Sequence, residues 1–162
     1  MTSNYLIRPI VGADLSALKA VLDASQLFPS EMLDDMISAY LTDASANQIW
    51  LTAEISGQPS VLAYCEPERM TNGTWNLLAI AVHPAHQGRG YGAAMMRHLE
   101  KRLSEDGQRI LLVETSGLPD YDRTRRFYVS NGYTQEARIR DYYQPGEDKI
   151  VFWKALGTAT EG

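Results

Sequence analysis

Residues 87–92 combine glycines and an arginine in a pattern suited to holding a phosphate group. They read Gln-Gly-Arg-Gly-Tyr-Gly and lie between an apolar run, which predicts a buried strand, and an amphipathic helix. Glycine lets the backbone turn tightly and approach a ligand closely. The unpaired N–H groups at the start of the helix, with its dipole, attract anions. With the charge of Arg89, the segment predicts a pyrophosphate site; the alternative is a glycine-rich turn that binds nothing, since short motifs often match by chance.

Two other phosphate-binding loops compete with this interpretation. A Walker A loop needs Gly-Lys-Ser/Thr after its glycines, and the segment lacks it. The dinucleotide pattern G-x-G-x-x-A is matched by Gly88, Gly90 and Ala93, and Glu114 follows about twenty residues later. Residues 83–87, however, separate this loop from its strand, and too few residues follow Glu114 for further strand–helix units. The dinucleotide fold is therefore the less favoured alternative.

Residues 80–92, Ile-Ala-Val-His-Pro-Ala-His-Gln-Gly-Arg-Gly-Tyr-Gly, resemble the GNAT superfamily of N-acetyltransferases. In that family a strand precedes the pattern Q/R-x-x-G-x-G/A at the start of a helix, and Gln87, Gly90 and Gly92 supply it. A second stretch, residues 126–133, reads Arg-Phe-Tyr-Val-Ser-Asn-Gly-Tyr and resembles the family's F/L-Y-x-x-x-G-F/Y segment. The likeness covers roughly residues 48–156 and implies an acetyl-CoA-dependent N-acetyltransferase.

The resemblance also implies a fold and a way of binding the co-substrate. The fold would be mixed α+β, with a mostly antiparallel central sheet that contains one parallel, splayed strand pair and is flanked by helices. The splayed strands would be residues 75–82 and 109–115, with the pantetheine arm of acetyl-CoA between them. Backbone groups of the first strand and of the loop would bind acetyl-CoA, through Ile80, Ala81, Val82, Gln87, Gly88, Arg89, Gly90, Tyr91, Gly92 and Ala93.

Acetyl transfer also needs groups that move protons. An amine with a pKa near ~10 is mostly protonated at neutral pH, so a base or water must first remove a proton. The resemblance implies that Tyr128 protonates the leaving thiolate and that a backbone N–H near Val82 stabilises the developing oxyanion. The alternative for Tyr128 is a core residue whose hydroxyl binds the backbone.

The base is unassigned, because Ala79 stands where many members of the family carry a glutamate. Glu114, on the second splayed strand, is the candidate carboxylate, acting directly or through water. The alternative is a structural acid bonded to a neighbouring backbone group or to Thr115.

The acceptor is expected to be a primary amine on a small molecule, since no partner-binding domain is appended. Residues 141–148, expected as a loop between the last two strands, carry acids and tyrosines that would receive a cationic amine. A solvated acidic turn is the alternative for this segment. At the level of function, a protein or peptide acceptor and a non-catalytic acyl-CoA sensor remain alternatives.

Composition excludes several other classes of protein. The net charge of −5 argues against nucleic-acid binding, which depends on Lys and Arg contacts to phosphate. Cys65 is the single cysteine and the three histidines lack a ligand spacing, so we expect neither a disulfide nor a metal site. No apolar run approaches the ~20 residues that span a bilayer, and we expect a cytoplasmic protein without a membrane partner. A homodimer is left open.

A length of 162 residues suits one compact domain, expected over residues 1–156, and residues 157–162 are expected to be a disordered tail. Asp14, Ser30 and Asp122 are predicted to cap three helices. The remaining predicted elements are strands at 6–10, 48–55, 60–65, 75–82, 109–115, 133–139 and 149–154, a turn at 56–59 and a helix at 90–105.

Overall fold

The computed structural model describes residues 4–157 and confirms the mixed α+β fold. Of the tail expected to be disordered, only Gly157 lies within the described residues. In chain order the elements are β1 (Tyr5–Pro9), α1 (Leu15–Ser25), α2 (Leu33–Thr42), β2 (Ile49–Ile55), β3 (Gln58–Pro67), β4 (Thr74–Val82), α3 (Tyr91–Glu105), β5 (Ile110–Ser116), α4 (Asp122–Ser130), β6 (Thr134–Gln144) and β7 (Glu147–Ala155).

The seven strands form one sheet in the order β1-β2-β3-β4-β5-β7-β6. The sheet is mostly antiparallel, and β4 and β5 are the parallel pair that the resemblance implies. Their pairing joins Thr74–Leu77 to Ile110–Val113 and ends there, although β4 continues to Val82 and β5 to Ser116. No helix in the described part of the chain is long and apolar enough to cross a membrane.

Residues 4–66 and 78–99 form one compact unit. Its core is built where the apolar stripes of α1 and α2 are buried against side chains of β2, β3 and β4. Burying each large side chain contributes about 1.5–3 kcal/mol, so this cluster is a main source of stability in the unit. The cluster contains Ile10, Leu18, Val21, Leu22, Leu33, Ile37, Trp50, Leu62, Tyr64, Ala79 and Ala81.

Within this unit β2 and β3 form the predicted antiparallel hairpin, but its turn is shorter than expected. Gln58 already pairs with Ile55, so only Ser56 and Gly57 lie between the strands. Both have positive φ, 51° and 83°, as the favoured two-residue hairpin turn requires.

Residues 67–77 and 100–157 form the second compact unit. It contains the paired part of β4 together with β5, β7, β6 and α4. Strand β6 does not end at residue 139 as expected but continues to Gln144, and β7 begins at Glu147. The segment 141–148, expected as a loop, is therefore mostly a β-hairpin with a turn at Pro145 and Gly146.

The predicted helix caps are not formed as expected, although the helices form. The side chains of Ser30 and Asp122 cap no helix, and that of Asp14 does not cap α1. The carboxylate of Asp14 instead accepts the backbone N–H of Val11 at 2.8 Å, at the start of the short 3₁₀ turn Gly12–Asp14, and two hydrogen bonds of 2.8 Å from the guanidinium of Arg8. Oδ2 of Asp122 forms an ion pair with a guanidinium nitrogen of Arg126 at a distance of 3.2 Å. An arginine forms stronger, charge-assisted bonds with a carboxylate than a neutral helix amide does.

Candidate active site

The glycine-rich loop of the first unit begins with a turn that its own side chains stabilise. A short 3₁₀ turn, Pro84–His86, leads from β4 into the loop, and Nδ1 of His83 accepts the N–H of Ala85 at 3.1 Å. Nε2 of Gln87 donates to the carbonyl oxygen of Val82 at 3.1 Å and so ties the loop back to the end of its strand. The geometry of this turn is thus built from contacts between residues that are close in sequence.

The two glycines of the loop are required by the backbone conformation. Gly88 and Gly90 have φ values of 77° and 88°, a region in which side chains are strained. An added Cβ at either position would meet no protein atom within 4 Å. Both positions therefore face open space, where a ligand can approach the backbone.

Helix α3 begins directly after these glycines. Its first helical bond runs from the N–H of Ala94 to the carbonyl of Gly90 at 3.0 Å, so the N–H groups of residues 91–93 have no acceptor within the helix. Gln87, Gly88, Arg89 and Gly90 are exposed. The loop therefore presents free amides, a helix dipole and one arginine at the surface, which fits a pyrophosphate.

The end of β4 contributes backbone rather than reactive side chains. Ala79 and Ala81 are buried in the core cluster under α1 and α2, whereas Ile80 and Val82 are half-buried. The position at which the family usually has a glutamate thus supplies packing and no proton acceptor.

Tyr128 lies in α4 of the second unit, and only 4% of its surface is exposed. Its ring packs against Phe127, Tyr133 and Phe152 with centroid distances of 5.3, 5.9 and 5.6 Å. No described residue within 4–157 forms a hydrogen bond with its hydroxyl, so the backbone partner of the alternative interpretation is not found there. Burial raises the pKa of Tyr128 well above its ordinary value, and the hydroxyl keeps its proton at neutral pH.

Glu114 lies on β5 and both of its carboxylate oxygens have a partner. Oε2 accepts a hydrogen bond from Nδ2 of Asn76 at 3.0 Å, and Oε1 lies 3.0 Å from Nζ of Lys149. The partners are therefore neither the backbone nor Thr115, which were the expected alternatives. The Glu114 side chain remains about one quarter exposed, at 25%.

The two catalytic candidates point to opposite faces of the sheet. Tyr128 packs on Phe152, which is paired with Val113 on β5. Successive residues of a strand alternate between faces, so Glu114 points away from the face that Val113 and Tyr128 share. A direct proton exchange between the two side chains is thereby excluded.

The hairpin formed by β6 and β7 uses its acids internally. Asp141 accepts the N–H of Gly146 at 2.9 Å, and Asp148 accepts the N–H of Asp141 at 2.9 Å and the side chain of Arg138 at 2.6 Å. The pKa of Asp148 lies below its ordinary range because of these bonds. Asp141 and Asp148 therefore stabilise the hairpin, and a role of this segment in receiving the amine stays a prediction.

Sequence reasoning missed two residues that contact Glu114, namely Asn76 and Lys149. Lys149 is only 7% exposed, and its Nζ lies 3.9 Å from the centre of the Tyr142 ring. Asn76 is 4% exposed within β4. A single polar residue inside the apolar run 75–82 and a lysine directly before the apolar residues 150–153 were the available signals, because such residues are rarely buried without a partner.

Comparison with known proteins identifies the family of the chain. The acetyltransferase (GNAT) domain family matches residues 46–135, more than half of the chain. Phosphinothricin N-acetyltransferase of Streptomyces viridochromogenes is 27% identical, over 91% of this chain and 85% of the relative.

Two solved structures are similar over almost the whole chain. A GNAT-family protein from Desulfovibrio desulfuricans has a TM-score of 0.88 and 26% identity, covering 94% of this chain and 99% of that one. A Salmonella typhimurium protein, solved with its cofactor acetyl-CoA, has a TM-score of 0.75 and 18% identity, covering 97% and 96%, and shows the same fold. With the matched domain, the free amides at the start of α3 and the parallel strand pair, the chain belongs to the GNAT family of N-acetyltransferases.

Proposed function

We propose that this N-acetyltransferase transfers the acetyl group of acetyl-CoA to a primary amine of a small molecule by direct attack on the thioester. The observation that carries the proposal is the exposed loop at residues 87–90, where two positive-φ glycines open the backbone in front of the free amides of α3. The similar Salmonella typhimurium structure, which contains acetyl-CoA, supports the identity of the donor.

Each part of the co-substrate has its residues in this proposal. The amides of Gln87, Gly88, Arg89, Gly90, Tyr91, Gly92 and Ala93 hold the pyrophosphate, and the backbone of Ile80, Ala81 and Val82 pairs with the pantetheine amides. A backbone N–H near Val82 stabilises the negative charge that develops on the thioester oxygen.

Three proton transfers accompany the reaction. An amine that arrives protonated first loses one proton and becomes the nucleophile. As its nitrogen then bonds to the acetyl carbon and the carbon–sulfur bond breaks, the nitrogen releases a second proton to solvent and the thiolate gains one. Tyr128, which burial keeps protonated, supplies the proton of the thiolate. Glu114 removes the proton of the amine, directly or through water, since Ala79 supplies no base.

The acceptor is a small molecule in this proposal. The relative from Streptomyces viridochromogenes is named for phosphinothricin, and a small-molecule acceptor is the interpretation that its name supports. The exposed Tyr143 of β6 offers an aromatic ring to such an amine, whereas the ring of its neighbour Tyr142 already holds the ammonium of Lys149.

A panel of primary amines with acetyl-CoA, read out as free thiol, tests the proposal. The panel should include amino acids, aminoglycosides, polyamines and short peptides with a free N-terminus. We expect turnover with one small-molecule class and dependence of the rate on acetyl-CoA concentration. Turnover of peptides alone would contradict the small-molecule acceptor, and the absence of acetyl-CoA binding by calorimetry would contradict the donor.

A further inference from the structure

Glu114 is held from two sides by residues of two other strands. Asn76 lies on β4 and Lys149 on β7, the strands that flank β5 in the sheet. Nδ2 of Asn76 donates a hydrogen bond to one carboxylate oxygen at a distance of 3.0 Å. Nζ of Lys149 lies 3.0 Å from the other oxygen. Every carboxylate oxygen has two acceptor positions, so each oxygen keeps one after these contacts are made. The arrangement fixes the direction of the carboxylate without using up its capacity to accept a proton.

Packing alone does not account for Asn76. Its side chain is almost fully buried, and its Oδ1 atom has no hydrogen-bond partner among the described residues. A buried, unpaired carbonyl destabilises a protein, and a leucine of similar volume would avoid this cost. The benefit that remains is the hydrogen bond from Nδ2 to Glu114.

Lys149 is held as a permanent cation beside the same carboxylate. Burial by itself lowers the pKa of Lys149, but its contacts with Glu114 and Tyr142 outweigh burial and raise that pKa above its ordinary value. Its charge sits over the Tyr142 ring, and that contact limits its freedom to move. The second partner of Glu114 is thus as firmly placed as the first.

We propose that Asn76 and Lys149 are positioning residues that hold the Glu114 carboxylate in one orientation for removing the proton of the acceptor amine. The inference rests on the proposed role of Glu114 as the proton acceptor. The proton passes from the amine nitrogen to a free position on the carboxylate, directly or through one water, and then to solvent. Neither Asn76 nor Lys149 gains or loses a proton in this step.

Two amines of similar size and different basicity separate positioning from a merely structural role. Ethylamine is protonated at neutral pH and needs a base, whereas 2,2,2-trifluoroethylamine is mostly unprotonated and does not. We expect Asn76→Leu and Lys149→Met to lower kcat about tenfold or more with ethylamine and by less than about threefold with trifluoroethylamine, within the range of general base catalysis. Lys149→Arg keeps the charge and a donor, and it should retain most of the ethylamine rate.

The matched control is Gln108→Leu. Gln108 accepts the indole N–H of Trp75, the residue next to Asn76, at 2.9 Å and has no contact with Glu114. Gln108→Leu removes a comparable hydrogen bond to β4. We expect it to lower kcat only slightly, and by the same factor with both amines. The KM for acetyl-CoA should stay unchanged in all four variants.

Equal losses with both amines, or no loss, in Asn76→Leu and Lys149→Met would overturn the positioning role. A thermal midpoint of Asn76→Leu several degrees below that of the wild type would do so too, because Asn76 would then serve stability. Glu114→Gln, measured with the same amines, separates the role of Glu114 as the base from the role of its two partners. If only Glu114→Gln loses rate selectively with ethylamine, Glu114 is the base but Asn76 and Lys149 do not position it. If Glu114→Gln shows no selective loss, both proposals are wrong.

Discussion

At the scale of single residues, Tyr128 has a buried ring, and its hydroxyl forms no hydrogen bond with any described residue. Phenylalanine keeps the ring and its contacts with Tyr133 and Phe152, and it removes only the proton donor. We expect Tyr128→Phe to lower turnover roughly 10²–10⁴-fold while the affinity for CoA changes little. Steady-state thiol release and calorimetry measure the two quantities.

Tyr133→Phe is the control for that substitution. It removes a neighbouring hydroxyl, which donates to Glu100 at 2.7 Å, and leaves Tyr128 untouched. Near-normal turnover in Tyr128→Phe, or an equal loss in both variants, would assign the proton of the thiolate to another donor such as water.

The second residue-scale prediction concerns Glu114. Glutamine preserves its size and can still accept from Asn76, but it has no charge to pair with Lys149 and cannot take a proton. Glu114→Gln should lower the acceptor-dependent rate and remove one ionisation from the acidic limb of the kcat–pH profile. Rates from about pH 5 to 9 provide the measurement. If wild type and variant keep the same acidic limb, Glu114 is not the titrating group.

At the scale of elements, the start of α3 depends on the backbone conformation of Gly90. A valine there is strained by roughly 1–3 kcal/mol and places its side chain in the open space in front of the helix amides. Gly90→Val should therefore reduce CoA affinity below the detection limit of calorimetry, while the protein remains folded.

Gly57 offers a control with the same backbone strain at a different site. Its φ is 83°, an added Cβ meets no atom within 4 Å, and it lies in the turn between β2 and β3. Gly57→Val should cost similar stability and leave CoA affinity intact. Wild-type affinity in Gly90→Val would refute the assignment of the phosphate loop.

At the scale of the whole molecule, Asp14 makes the stability of the folded chain depend on pH. The pKa of Asp14 is lowered mainly by its hydrogen bonds with Arg8, against the opposing effect of burial. Such a group stabilises the folded chain above the ordinary aspartate pKa of ~3.9, and this contribution is lost as pH falls through the lower folded value. Asp14→Asn should therefore lower the thermal midpoint by several degrees at neutral pH.

The difference between wild type and Asp14→Asn should then shrink as pH falls below about 4. Thermal melts between pH 7 and pH 3 measure it. A difference that stays constant over this interval would mean that Asp14 acts by packing and not by its charge.

The sequence by itself determined the parts of the site that are contiguous in the chain. The loop at residues 87–92 and the start of α3 follow from positive-φ glycines before an amphipathic helix, and both are local properties. The parallel pair of β4 and β5 follows equally from an apolar strand on either side of one helix. Tyr128 was singled out by its short motif; its role as an acid stays a prediction.

Only the tertiary structure decided which groups meet across the strands. Asn76, Glu114 and Lys149 are distant in sequence, and the register of three strands brings them together. For the same reason the main partner of Asp14 was not expected: Arg8 lies on β1, and its guanidinium donates two hydrogen bonds to the Asp14 carboxylate. Local sequence sets the conformation of the backbone, but the partner of a charge depends on which strands the folded sheet places side by side.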